Sequence, residues 1–197
     1  MNGADGPVEP PRELVRRAQE GDRVAFEQLV RRVYQQVFRW ALVQTGDPDE
    51  ADDVTQEVLV LLHRKLDTYS GEARFTSWLF RVTRNAALQH GRKAARLLRI
   101  RRKAREVAVF DKEVGDSAAK IDGSHALNMV HQLFNDLPVR QREVFDLADL
   151  QGYSPTEIAE MLGMKAVTVR ANLCKARRAL RSVLLERHAE LMEELSQ

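Results

Sequence analysis

Apolar residues recur at helical spacing along most of the chain, and the breaks fall at residues that start or stop helices. Asp22 is placed to cap a long helix whose inward stripe is Phe26, Leu29, Val30, Val33, Val37 and Leu42, with Gly46 at its end. Asp47 and Pro48 then supply an N-cap and the residue best suited to a first helical turn. The helix they open reaches about Leu66 and carries Ala51, Val54, Val58, Leu61 and Leu62 on one side. The segment 67–74 (DTYSGEAR) lacks helical period and contains Ser70-Gly71, so a loop is expected. In the next helix Phe75, Trp78, Leu79, Val82 and Ala86 fall at i, i+3, i+4, i+7 and i+11, while Arg81, Arg84, Asn85 and Arg92 lie opposite.

From about Ile100 to Ser124 the pattern weakens into mixed charge with Gly115, Ser117, Gly123 and Ser124, which predicts a linker, helical at its start. Periodicity resumes at Leu127. Pro138 opens a helix with Val139, Val144, Leu147 and Leu150 as apolar positions, and Gly152 stops it. Ser154-Pro155-Thr156-Glu157 reads as a capping box, followed by Ile158, Ala159 and Leu162 and then Gly163. A longer helix begins near Ala166 with Val169, Leu173, Ala176 and Leu180 inward. Helix, glycine turn and longer basic helix is the layout of a helix-turn-helix, although ordinary helical hairpins share it. No strand-like alternation persists. The expected fold class is all-α, with two small helical domains at 1–99 and 126–197 joined by a linker at 100–125.

The 197 residues carry a net charge of only +2, but the charges are segregated. Between Gln44 and Leu62 there is no Lys or Arg, while Asp47, Asp49, Glu50, Asp52, Asp53 and Glu57 are acidic. Between Arg81 and Arg105, and again between Gly163 and Leu185, every charged residue is basic. Two cationic surfaces and one anionic surface suggest two contacts with a polyanion and one with a different partner. The helix dipole accounts for Asp49 and Glu50 in the first turn better than for Asp53 and Glu57 deeper in the helix.

Several classes of chemistry are excluded. Cys174 is the only cysteine, so neither an internal disulfide framework nor a Cys-based zinc cage is expected. No apolar run approaches the roughly 18 residues of a membrane span, and the start of the chain has no secretory pattern, so a cytoplasmic protein is expected. Phosphate-loop, HExxH and calcium-loop motifs are absent, and the five histidines are scattered. Asp52 and Asp53 are adjacent on a helix and point in different directions. No enzyme, metal or cofactor is expected.

The run from Gly21 to Leu88, with TGD, DVTQEV and GEARFTSWLFRVTRN, resembles region 2 of bacterial sigma factors of the extracytoplasmic-function (ECF) group. The run from Leu137 to Arg181, with EIAEMLG, TV and KARRALR, is similar to their region 4. The resemblance covers about three-quarters of the chain in the expected order. It implies a sigma initiation factor that binds core RNA polymerase and directs it to a promoter subset, recognising minus-ten and minus-thirty-five elements and assisting DNA melting.

Carried onto this sequence, the resemblance assigns polymerase binding to Asp49, Asp52, Asp53, Gln56 and Glu57. It assigns minus-ten DNA to Tyr69, Ser70, Gly71, Glu72, Arg74, Phe75, Trp78, Arg81, Arg84, Asn85 and Arg92. The loop from Tyr69 to Phe75 would capture an extruded base, offsetting lost stacking, although Phe75 and Trp78 also head the apolar stripe. The minus-thirty-five element falls to Thr168, Arg170, Ala171, Cys174, Lys175 and Arg178, with Arg177 and Arg178 on the DNA backbone or solvated. Here the sequence departs from the family pattern at Ala148, Ala166-Val167 and Asn172. Cys174 and Ala171 offer little hydrogen bonding to base edges. Many relatives are held by an anti-sigma factor, so such a partner is admitted alongside core polymerase and promoter DNA.

Two other readings fit parts of the pattern: a free-standing operator-binding regulator, and a helical adaptor whose basic blocks contact an acidic protein. An operator-binding protein has no use for the acidic helix. An adaptor would lack the steep salt dependence of phosphate contacts.

Overall fold

The computed structural model describes residues 9–107, 134 and 136–194, and among these all regular structure is helical. The first unit comprises α1 (Arg12–Gln19), α2 (Arg23–Thr45), α3 (Pro48–Lys65), a 3-10 turn (Leu66–Thr68) and α4 (Phe75–Val107). The second comprises α5 (Val139–Phe145), a π-helical turn (Asp146–Leu150), α6 (Pro155–Leu162) and α7 (Ala166–Glu194). No helix among the described residues is long and apolar enough to cross a membrane.

The predicted stripes close over one another. Leu29, Val33 and Val37 of α2 meet Val54, Val58 and Leu62 of α3 and Phe75 and Leu79 of α4, all fully buried or nearly so. Each such side chain contributes about 1.5–3 kcal/mol of transfer free energy. Trp40 packs edge-on to Phe80, with ring centroids 5.2 Å apart. Phe26, Val30, Leu42 and Leu61 lie at the margin, only half-buried.

The caps fall where the sequence puts them. Asp22 Oδ1 accepts from the Ala25 amide at 3.0 Å, and Gly46 ends α2 with φ of 76°, a conformation that favours glycine. Asp47 Oδ1 accepts from the amides of Asp49 and Glu50 at 3.0 and 2.9 Å. In the second unit Ser154 and Glu157 form the reciprocal capping box, and Gly163 (φ 64°) makes the turn before α7.

Two features depart from expectation. α1 has no counterpart in the predicted elements. It begins after Pro11 without a side-chain cap, and its apolar set is only Leu14, Val15 and Ala18. Val139 and Leu150, expected inward, are 38% and 44% exposed. The π turn explains Leu150: the Gln151 amide bonds to the Asp146 carbonyl five residues back at 3.0 Å. That extra residue per turn rotates Leu150 out and Gln151 in. α4 continues unbroken to Val107, through the expected helical start of the linker. The rest of the expected linker, and the resumed periodicity at Leu127, lie outside the described residues.

The two units pack directly on one another, α5 against α2 and α6 against α4.

Candidate nucleic-acid interface

The acidic surface is the outer face of α3. Asp49, Asp53 and Gln56 recur at i, i+4 and i+7 and are all exposed. Since Asp47 already satisfies the first amide donors, the Asp49 and Glu50 carboxylates remain directed to solvent. Asp52 and Glu57 are half-buried at the edges of this face. Asp52 accepts from the Tyr34 hydroxyl at 3.3 Å and from the Gln56 amide at 2.8 Å, and Glu57 lies 3.7 Å from Lys93.

The loop from Tyr69 to Arg74 is held from three directions. Tyr69, Phe75 and Trp78 form a cluster with ring centroids 5.3–5.7 Å apart. The Tyr69 hydroxyl donates to the Ala73 carbonyl at 2.6 Å, and burial raises its pKa above the usual phenol range. Gln19 Nε2 on α1 donates to the carbonyls of Leu66 and Tyr69 at 2.9 and 2.8 Å. Glu9 caps α4, accepting from the amides of Phe75 (2.6 Å) and Thr76 (3.2 Å) and from the Thr76 hydroxyl (2.5 Å). Sequence reasoning missed Glu9 and Gln19; the capless start of α4 was the signal that a distant carboxylate was needed.

Ser70, Gly71 and Glu72 are exposed, and the first two line an open cavity of about 250 Å³ between this loop and α1. Phe75 is only 1% exposed and Trp78 is half-buried. Phe75 therefore forms the floor beneath the loop, where the sequence also allowed it as a stacking surface.

Along α4, Arg81, Asn85 and Arg92 are exposed, as the sequence suggested. Arg84 is not. Its side chain is 19% exposed, and the guanidinium donates to Glu143 Oε1 of α5 at 2.7 Å. Gln44 donates to the same oxygen at 2.6 Å, and Arg140 reaches Glu143 Oε2 at 3.0 Å. Arg39 pairs with the buried Asp146 at 2.7 Å, Gln151 donates to Asp146, and Trp40 Nε1 donates to Gln151 at 3.2 Å. Burial raises the Asp146 carboxyl pKa, opposed by Arg39 and Gln151. Arg74 pairs with Glu157 at 2.6 Å, lies 3.6 Å from Glu9 and stacks over the Tyr153 ring. Two cations predicted to face DNA thus hold the two units together.

On α7 the assigned residues Thr168, Arg170, Ala171, Cys174, Lys175 and Arg178 are all exposed. Two neighbours are already engaged. Asn172 Nδ2 donates to the Thr168 carbonyl at 2.9 Å. Arg177, expected on the DNA backbone or solvated, is exposed and makes a forked contact with Asp149 at 2.5 and 2.8 Å. Among the described residues no cluster of His, Cys, Asp or Glu could hold a metal ion.

Residues 29–97 match the sigma-70 region 2 family and residues 127–180 the sigma-70 region 4 family. The ECF RNA polymerase sigma factor SigM of Mycobacterium tuberculosis is 34% identical over 166 residues, covering 83% of this chain and 79% of the relative. The RNA polymerase sigma-H factor of Pseudomonas aeruginosa is 31% identical over 186 residues, covering 89% and 94%. Two solved structures have the same fold, each with a TM-score of 0.64. One is the sigma factor RpoE in complex with the anti-sigma factor NepR from Bartonella quintana, at 26% identity over 81% of this chain and 96% of that one. The other is CnrH in complex with the cytosolic domain of CnrY, at 27% identity over 88% and 96%.

Proposed function

This chain belongs to the ECF group of RNA polymerase sigma factors, and we propose that its three charged surfaces divide the work of initiation among named residues. Sigma factors are not enzymes. They bind core RNA polymerase and direct it to promoters, so the task of each surface is recognition. Asp49, Asp52, Asp53, Gln56 and Glu57 dock the polymerase. The observation that carries this assignment is the α3 face itself, where acidic side chains extend past the capped first turn, with Asp53 exposed and Asp52 and Glu57 at its edges.

The loop Tyr69–Arg74, seated on Phe75 and Trp78, receives an extruded minus-ten base. Arg81, Asn85 and Arg92 contact the adjoining strand, joined by Arg74 and Arg84 once these leave Glu157 and Glu143. The α6–turn–α7 unit places Thr168, Arg170, Ala171, Cys174, Lys175 and Arg178 in the major groove of the minus-thirty-five element. Residues 1–99 and 126–197 act as the two domains, and 100–125 as the span between them. The protein works in the cytoplasm, where the polymerase is, and an anti-sigma factor is its natural antagonist. The complex of RpoE with the anti-sigma factor NepR supports that partner class.

The deciding experiment is transcription in vitro with purified core polymerase on a random-promoter library. Initiation at a defined subset of templates is expected. No initiation at any template would overturn the assignment.

A further inference from the structure

The outer face of α7 has an unusual composition for a helix that reads bases. Val169, Leu173 and Ala176 are buried, and Leu180 is half-buried beside them. At about 100° per residue, Val167, Ala171 and Cys174 lie opposite that face, within about 60° of one another. Val167 is 71% exposed, the most exposed large apolar residue among those described, and Ala171 and Cys174 are exposed below it. Arg170 stands on one flank of this stripe, with Thr168 and Lys175 on the other.

Asn172, at the edge of this face, donates to the Thr168 carbonyl and Arg177 pairs with Asp149, while the exposed Arg178 continues the line of the stripe one turn beyond Cys174. The first turns of a recognition helix meet base edges at the groove floor. Here those turns offer two apolar side chains and a thiol, with cations spaced to either side. Such a surface cannot satisfy the donors and acceptors of a guanine or adenine edge. It matches the one apolar group in the major groove, the C5-methyl of thymine. From Val167 to Cys174 the helix rises about 10 Å, the length of roughly three base-pair steps.

We propose that Val167, Ala171 and Cys174 read the upstream promoter element through thymine methyl groups, while Arg170 and Lys175 hold the flanking phosphates. The inference rests on the assignment of α7 to that element.

The test uses the full-length protein with core polymerase and promoters selected from the random library. Each thymine of the upstream element is replaced in turn by deoxyuridine, which removes one methyl and keeps the pairing. Affinity is expected to fall about fourfold per contacted methyl, at one to three thymines. In Val167→Ser and Cys174→Ser, both exposed positions, that sensitivity should shrink or vanish. Arg170→Gln and Lys175→Gln should weaken binding equally on thymine and deoxyuridine templates and flatten its salt dependence. Equal affinity for both templates, or selected elements without a thymine under α7, would overturn the methyl readout. If Arg170→Gln and Lys175→Gln also left protection of the upstream element unchanged, the assignment of α7 would fall with it.

Discussion

Arg84 and Glu143 meet at 2.7 Å across the boundary between the two helical units, 59 residues apart in the chain. The carboxylate is 1% exposed and also receives Gln44 and Arg140. A cation suited to a DNA phosphate is therefore occupied by an internal anion, and the same holds for Arg74 with Glu157. Phosphate and carboxylate would compete for the Arg84 guanidinium, so the DNA contact proposed for Arg84 would require the two units to separate, whereas Arg74 is 43% exposed.

Glu143→Ala is expected to loosen this packing, because removing one partner leaves Arg84 poorly solvated and uncompensated. The cost of breaking such a pair is about 3 kcal/mol. Small-angle scattering of the free protein should report a larger radius of gyration. An unchanged radius and melting temperature would show that Glu143 does not hold the units together.

Asp53→Lys with Glu57→Lys should abolish association with core polymerase while helix content stays the same. Asp53 is exposed and Glu57 half-buried, so neither change disturbs the core. Co-purification of the variant with polymerase at the level of the parent would contradict the docking role of α3.

Asn85→Ala with Arg81→Ala should impair transcription from a supercoiled promoter more than binding to an upstream-element duplex. Both residues are exposed, whereas Arg84→Ala would also break the contact with Glu143. Equal loss of the two activities would mean that the first unit has no separate melting role.

Glu9→Ala removes the carboxylate that caps α4, leaving the Phe75 and Thr76 amides to water. A loss of about 1 kcal/mol is expected, on the scale of other capping deletions and of an anion at a helix N-terminus. Denaturant unfolding measures it, and no shift in midpoint would show the cap to be dispensable.

The pKa of Glu157 is held below the usual glutamate range, chiefly by the Ser154 amide and then by the Ser154 hydroxyl and Arg74. A depressed acid contributes stability that is present above its ordinary range and lost as pH falls through its folded value. Melting temperatures between neutral and acidic pH should therefore fall less steeply in Glu157→Gln than in the parent. Parallel curves would remove Glu157 from the acid response.

Much of the fold was written locally. Asp22, Asp47-Pro48 and the Ser154–Glu157 box set helix starts, Gly46 and Gly163 set stops, and the period of 3.6 chose the buried faces, because each depends on residues within about a turn of one another. The three charged surfaces were legible for the same reason. What tertiary structure alone decided lies between distant segments: Glu9 capping α4, Gln19 holding the Tyr69 loop, Trp40 donating to Gln151, and Glu143 and Asp146 meeting Arg84 and Arg39. Periodicity shows that a residue faces outward from its own helix, but not which other helix comes to lie against it. Arg84 therefore read as open to DNA in the sequence, and it is the approach of α5 that gives it an internal partner.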